Sequence, residues 1–572
     1  MMKIVKRLPK MQSLIAILFL VVQIICALWL PRITADIVDN GVKLSDIDYI
    51  WSRGYLMIAL SAASLVGALV NTYIFSRISY KLGGELRSDI YDTALSFSKR
   101  EFDQIGTSSL ITRNTNDVTQ VQTLVEGALK FMILAPAMLV GGIIMTWTLS
   151  PTLAAIFLCA VPVLGIAYFV IYRFANPLYA KIQQLLDKLN LFFREGLTGV
   201  KVIRAFGKEA SEYEKYKAIN KEYTHTYITA ATIMSVSIPL VTMLVSLTTV
   251  LIAWVGGNGV ANGSIEIGAI MAAISYSTQI LMGFGMLTNV ILAIPRGQIS
   301  AKRIYEVLDM PLNIKEPETA QTSTADALTF NHVDFRYKGA ERNTLTDINF
   351  TVSAGQTLAI IGSTGDGKST LVNLISRLYD VSDGSVKIGD TDIRDMAQKE
   401  LRNMVSVAPQ KSTLFFGTVR SNMLEAGPNA TDEEIWAALD IAQATEFVQS
   451  LPDGLDSAVE KGGGNFSGGQ KQRLCIARAI LKNAFIYVFD DSFSALDFKT
   501  DAAVRTAMHD KLKNSITVIV AQRISTVMNA DMIAVLNNGK LVGLGNHETL
   551  KETCGIYNEI IDSQFHRGAK IA

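Results

Sequence analysis

The chain has 572 residues, 49% of them hydrophobic and 18% charged, with a formal net charge of +1. That balance excludes the basic footprint of a nucleic-acid binder, and the length exceeds one ordinary domain. Cys26, Cys159, Cys475 and Cys554 have no paired spacing, which excludes a disulfide framework and a thiolate metal site and leaves them as small buried hydrophobes.

Mean hydropathy is +0.28, and the long apolar runs fall almost wholly in the first ~300 residues. The N-terminus carries Lys3, Lys6, Arg7 and Lys10, then an apolar run over 13–30. No A-x-A cleavage site follows, so this run is read as a retained first helix. Segments with the ~20 mostly apolar residues of a membrane helix are 13–33, 54–76, 131–150, 152–174, 233–256 and 266–294. Pro151 suits the first turn of the fourth, where its missing N–H costs nothing. Between the first two spans lie Asp36, Asp39, Asp46 and Asp48, while the 150–151 turn and the glycine-rich 256–263 loop are short. The segments 77–130 and 175–232 are long, polar and rich in Lys and Arg. By the positive-inside rule they and both termini lie in the cytoplasm of a multi-pass cell-membrane protein.

Those two segments hold few helix breakers, so they read as membrane helices continued into the cytoplasm. A helix from 54 to about 98 is ~65 Å long at 1.5 Å per residue, of which the bilayer core takes ~30 Å. Gly106, Gly196 and Gly199 are the expected turn points, where the rods can touch a cytoplasmic domain. After the sixth span, PLNIKEP and ETAQTSTAD mark 311–327 as a linker.

From Leu328 short β-rich runs give way to strand–helix alternation, the pattern of an α/β domain with a site at its strand ends. Gly362, Ser363, Thr364, Gly365, Asp366, Gly367, Lys368, Ser369 and Thr370 match G-x-x-x-x-G-K-[ST] in full. The match follows the apolar strand TLAII and opens a helix, the context of a phosphate loop. Glycines let backbone N–H groups face phosphates, the helix N-terminus adds partial positive charge, Lys368 reaches the β/γ-phosphates and Ser369 ligates Mg²⁺. The apolar strand FIYVF ends in Asp490, a second carboxylate for that magnesium.

Between these motifs lies NFSGGQKQR, with Ser467, Gly468, Gly469 and Gln470, which resembles the signature of ATP-binding-cassette (ABC) proteins. The family's other marks follow in order. Tyr337 matches the aromatic that stacks on adenine. Gln410 matches the Q-loop glutamine that senses Mg²⁺, so the resemblance implies a metal set of Ser369, Gln410 and Asp490. Asp497, in SALD, matches the D-loop. The resemblance covers nearly the whole chain and is to a type IV exporter half-transporter of the multidrug-exporter-like group. It implies a six-helix all-α transmembrane domain over 1–310 with two cytoplasmic coupling hairpins, near 101–108 and 196–206. The linker at 311–327 and an α/β P-loop ATPase (nucleotide-binding) domain over 328–572 complete it. In that family two cassettes sandwich two ATP molecules, each between one phosphate loop and the other signature. This chain has no second phosphate loop, so its signature needs a partner's nucleotide and an obligate dimer.

Two positions depart from the family's hydrolysis pattern. Asp491 stands where a catalytic glutamate is expected, and Gln522 where a histidine is expected. Asp is one methylene shorter, and a ~1 Å misplacement can cost about 100-fold in rate. Gln can hydrogen-bond but cannot become cationic. The resemblance therefore implies a degenerate site in a heterodimer whose other half carries the intact residues. A slow homodimer is the rival. Ser275, Tyr276, Gln279, Met282, Met286 and Asn289 in the last span are either a cargo surface or helix packing. With no charge deep in a span and no peptidase domain ahead of the first, the expected cargo is an amphipathic small molecule. Lipid, haem, peptide and siderophore are the alternatives.

Overall fold

A computed structural model of the chain describes residues 2–323 and 326–565, with the side chains of 2, 238, 281, 287–292 and 565 outside the described set. The chain divides into two compact units. The first takes the chain through Leu95 and then Thr107–Met310, and the second takes Ser96–Gly106 together with what is described from Pro311 onward.

The first unit is all helix. α1 (Lys10–Asp36), α2 (Ile47–Leu95), α4 (Val118–Leu149), α5 (Pro151–Thr198), α6 (Glu209–Ser235), α7 (Ser237–Ala261) and α8 (Ile267–Leu308) build it, while the short α3 (Lys99–Ile105) belongs to the second unit. Six helical stretches among the described residues are long and apolar enough to cross a membrane. They are Lys10–Val42, Ile47–Leu95, Thr107–Leu149, Pro151–Thr198, Glu209–Ala261 and Ile267–Met286. The 49 residues of α2 make a rod of roughly 74 Å, so the expectation that it outruns the bilayer holds. Ser150 caps α5, whose first residue is Pro151. Gly106 takes φ +80 and ends α3, a turn that only glycine adopts without strain. Gly199 ends α5, whereas Gly196 lies inside that helix and makes no turn. Cys159 is exposed, unlike the other three cysteines, because α5 turns it away from the helix core.

α8 is pinned to its neighbours by buried carboxylates in two π-helical turns, Ile37–Val42 and Arg113–Asp117. Asp39 Oδ1 accepts from the Gly268 N–H at 2.8 Å, where α8 begins, and Asp117 Oδ1 accepts from the Ser300 hydroxyl at 2.7 Å. A Cβ on Gly268 would sit 2.3 Å from both Ala35 O and the Asp39 carboxylate, so glycine is what lets these helices meet.

The second unit is α/β. A four-stranded sheet orders β2 (Leu345–Ser353), β1 (Ala327–Phe335), β4 (Asp383–Ile388) and β5 (Thr391–Asp392). A six-stranded sheet orders β12 (Lys540–Gly545), β11 (Met532–Asn537), β3 (Thr357–Gly362), β10 (Ile516–Val520), β9 (Ile486–Asp490) and β6 (Val405–Ala408). A small ribbon pairs β7 (Gly417–Thr418) with β8 (Ala458–Val459). β9 and β10 are buried at every position, as apolar strands covered on both faces must be. Phe489 in β9 is fully buried, and its truncation to Ala is worth ~3–5 kcal/mol.

Three parallel strands set the level of the site. Val520 pairs with Ile360 on one side and with Asp490 on the other. The C-terminal ends of β3, β10 and β9 therefore open at one height, at the edge where α/β sheets bind ligands.

Candidate functional site

The chain leaving β3 turns through Gly365 (φ +96) and Gly367 (φ +93) into α9 (Lys368–Ile375). Side chains are barred from those angles, and a Cβ on Gly367 would also meet Leu345 at 2.6 Å. No side chain caps α9, so its first N–H groups stay open to an anion. Lys368 Nζ donates to the carbonyls of Gly362 (2.8 Å) and Ser363 (2.7 Å). Burial pushes its ammonium below the ordinary lysine value, against the pull of Asp366, Asp491 and Asp490. Asp366 accepts from Ser363 N at 2.6 Å and Asn538 N at 3.0 Å, so it shapes the loop from behind rather than facing into it.

The Ser369 hydroxyl donates to Asp490 Oδ1 at 3.4 Å. Burial raises the Asp490 carboxyl above its usual range, and the neighbouring Asp491 charge adds to this while Ser369 opposes it. Asp491 sits at φ +50, a strained angle for a non-glycine residue. Its carboxyl is also raised, first by burial, against Lys368 and a hydrogen bond from Gln410. Gln522 Nε2 donates to Asp491 Oδ2 at 3.3 Å. Tyr337, Thr364, Gly365, Gly367, Lys368, Ser369, Thr370, Gln410, Asp490, Asp491 and Gln522 line one cleft of about 350 Å³ together with Thr344 and Val520. The oxygens of Ser369, Asp490 and Gln410 are the hard donors that suit Mg²⁺, with phosphates completing the set.

Tyr337 lies across the start of α9, its hydroxyl 2.9 Å from Thr370 Oγ1, its ring edge-on to Phe335 and Tyr379. The signature does not join this cleft. Ser467 caps α10 (Gly468–Leu481): its hydroxyl accepts from Gln470 N at 3.3 Å, and Gln470 Oε1 accepts from Ser467 N at 2.9 Å. Ser467 and Gly468 are exposed. Asp497 also stays apart, capping α11 (Phe498–Leu512) through Thr500 N at 2.9 Å.

Sequence reasoning missed two polar neighbours. Gln472, buried in α10, accepts from Ala495 N at 3.0 Å and donates to the Ser494 hydroxyl at 3.4 Å, tying the signature helix to the D-loop. Lys99 of α3 shares a cavity of about 680 Å³ with Ser369, Gln410 and Asp490, and its charge works against the rise at Asp490. The rest of α3 is also anchored within this unit. Glu101 accepts from Ser98 N (2.7 Å) and Asn313 N (3.1 Å), and Tyr379 donates to Asp103 at 2.7 Å. Burial alone would raise the Glu101 carboxyl, but the bonds from Ser98 and Asn313 hold it below its usual value.

In the first unit the proposed cargo surface is mostly packing. Tyr276 is fully buried and donates to Leu28 O at 2.6 Å, Gln279 donates to Ala27 O at 3.2 Å, and Ser275 donates to Met271 O at 3.1 Å. Met286 packs on the helix core and Met282 is exposed; the Asn289 side chain lies outside the described residues.

Residues 13–284 match the ABC transporter transmembrane region, and residues 345–494 match the ABC transporter family. An uncharacterized ABC transporter ATP-binding protein of Mycobacterium tuberculosis is 39% identical over 562 residues, 97% of this chain and 96% of that one. The ATP-dependent lipid A-core flippase 1 of Colwellia psychrerythraea is 28% identical over 92% of this chain and 90% of its own. A solved bacterial Atm1-family ABC exporter with ATP bound has the same fold, with a TM-score of 0.80 and 24% identity over 97% of this chain and 98% of that one.

Proposed function

The chain belongs to the ABC transporter family as an exporter half-transporter, an ATP-driven translocase with membrane and ATPase regions in one polypeptide, and on that premise we propose that its own nucleotide site holds ATP but hydrolyses it poorly. Such halves dimerise, and the reading here is a heterodimer. The partner supplies a competent phosphate-loop site, which this chain's Ser467–Gly469 completes.

One observation carries the reading: the Gln522 amide donates to Asp491 Oδ2. A neutral amide occupies the place of a titratable ring, and the carboxylate that must orient water is short by a methylene and already engaged. The remaining roles follow from position. Lys368 leaves the Gly362 and Ser363 carbonyls for the β/γ-phosphates, the open N–H groups of α9 hold the phosphate oxygens, and Tyr337 swings off Thr370 to meet the base. Ser369, Asp490 and Gln410 would hold Mg²⁺, which supplies charge neutralisation on the phosphates. We take 1–310 as the membrane domain and 328–572 as the ATPase domain. The Lys- and Arg-containing segments 77–130 and 175–232 favour, by the positive-inside rule, an ATPase domain and both termini on the cytoplasmic side of the cell membrane.

The cargo is an amphipathic small molecule. The flippase relative favours a lipid as the second reading, and ATPase stimulation by each class in proteoliposomes separates the two. The site itself is tested by repair. The chain is purified from its native membrane with whatever co-purifies, as wild type and as Asp491→Glu/Gln522→His. The wild-type chain alone is expected to be nearly inactive, a related polypeptide to co-purify in equal amount, and the repaired chain to gain up to about 100-fold at this site. Robust turnover by a pure wild-type homodimer overturns the proposal.

A further inference from the structure

The helix α12 (Gly555–Phe565) has no part in the family motifs, yet its last turn reaches the loop that carries Gln522 into the nucleotide cleft. Its buried face is apolar: Tyr557 is fully buried, and Ile556, Ile560 and Ile561 pack on the same core. That docking delivers Gln564 to the loop after β10. Gln564 Oε1 accepts from Ile524 N at 2.9 Å, and its Nε2 donates to Gln522 O at 2.7 Å. Ile524 opens the short helix Ile524–Val527, whose N-cap Arg523 makes no side-chain cap bond. Gln564 is therefore a cap supplied from 40 residues away. Both ends of one primary amide are used, the acceptor on one peptide and the donor on another two residues back.

The clamped loop has contacts that matter to the site. Between the two clamped peptides, Arg523 donates to Ser494 O at 3.2 Å and its guanidinium lies over the Phe498 ring. On the cleft side the Gln522 side chain meets Asp491. A loop held at 522 and 524 fixes which way the side chain of residue 522 points. Released, it loses its fixed approach to residue 491.

We propose that Gln564 is a positioning residue of the ATP site: by holding the backbone at 522 and 524 it aims residue 522 at residue 491. This rests on the reading that 491 and 522 set hydrolysis at this site. The chemistry is specific to glutamine. Glu keeps the acceptor for Ile524 N but loses the donor to Gln522 O, and Ala loses both.

The test places Gln564→Ala and Gln564→Glu in the Asp491→Glu/Gln522→His background of the assembled transporter. Turnover of MgATP and amide hydrogen exchange are both measured. Expected for Gln564→Ala is a fall in kcat of about tenfold with KM for ATP within twofold. Peptides over 522–526 should exchange faster, while those over 555–561 keep their protection. Gln564→Glu should fall between Ala and Gln in both readouts. If the repaired background gains no turnover, the reading of 491 and 522 fails and this inference fails with it. A gain that survives Gln564→Ala overturns this inference alone. So does a loss that comes with deprotection of 555–561 and is matched in full by Gln564→Glu, because the residue then only docks the helix.

Discussion

The starts of the phosphate-loop helix and of the signature helix are built in opposite ways. α9 begins at a left-handed Gly367 with no side-chain cap, and its lysine is curled onto the loop's own carbonyls. α10 begins at Ser467 with a complete capping box and stands exposed. An uncapped start leaves N–H groups short of partners, which is tolerable where a ligand within the same chain will take them. A capped start is stable unaided and can wait for a nucleotide carried by another polypeptide. On the proposed function, the chain thus keeps unsatisfied donors at the site it fills itself, and satisfied ones at the site it would lend.

The largest test of that contrast is Lys368→Ala. It removes the cation from the open start while leaving the N–H groups of α9 in place. MgATP affinity at this chain's site, read by equilibrium binding of a labelled nucleotide, is expected to fall by about 100-fold, in line with the loss of a charge-assisted pair of ~1.5–3 kcal/mol. Affinity unchanged would mean that the helix start alone binds the phosphates. Ser467→Ala tests the other start. It should destabilise the ATPase unit by ~1 kcal/mol through loss of the cap. It should leave nucleotide binding at this chain's own cleft untouched, because Ser467 does not line it, while turnover of the assembled pair falls. Weakened binding at this chain's own cleft would break the contrast.

How far the sequence reaches follows the same division between local and distant. The phosphate loop is legible because its residues are contiguous, and the glycine turns, the helix start and the Lys368–Ser369 pair follow one another in a single stretch. Asp490 is legible because an apolar strand ending in a carboxylate has few other uses. Asp366 misleads: within the motif it resembles a phosphate contact, but the Asn538 N–H, in the turn after the neighbouring strand β11, engages it. Lys99, Gln472 and Gln564 are invisible to pattern because their partners lie across the fold. In the membrane unit, polarity within a span does not say which face a residue takes. Tyr276 and Gln279 read equally as cargo surface or helix packing, and both bond the backbone of α1. The fold class, by contrast, needs only run lengths and the switch to strand–helix alternation, and those survive any ambiguity of facing.

The smallest expected effect concerns what the open site does to the protein while it waits. Asp490 is buried, and its carboxyl is raised above the ordinary value by that burial. A carboxyl raised in the folded state favours the proton there more than in the unfolded chain. The stability it lends is complete below the unfolded pKa and is lost as pH rises through the raised folded value. Above that raised value and without nucleotide, the folded unit therefore bears an ionised, desolvated Asp490. Asn keeps an acceptor for the Ser369 hydroxyl and carries no charge. Asp490→Asn should thus raise the melting transition of the ATPase unit in the full chain, by ~2–4 °C if the relief is ~1 kcal/mol, with the gap closing as pH falls through the raised value. Glu101 has the opposite sign. Its carboxyl is held low by Ser98 and Asn313, so its contribution is present above the unfolded pKa and lost as pH falls through the lowered one. Glu101→Gln should therefore melt lower at pH 7.5 and converge on the wild type in acid. Adding MgATP should narrow the Asp490→Asn gain, since the wild-type site keeps its full Mg²⁺ set and is stabilised more by its ligand. A lower melting point for nucleotide-free Asp490→Asn at every pH would mean that the carboxylate is a structural anchor.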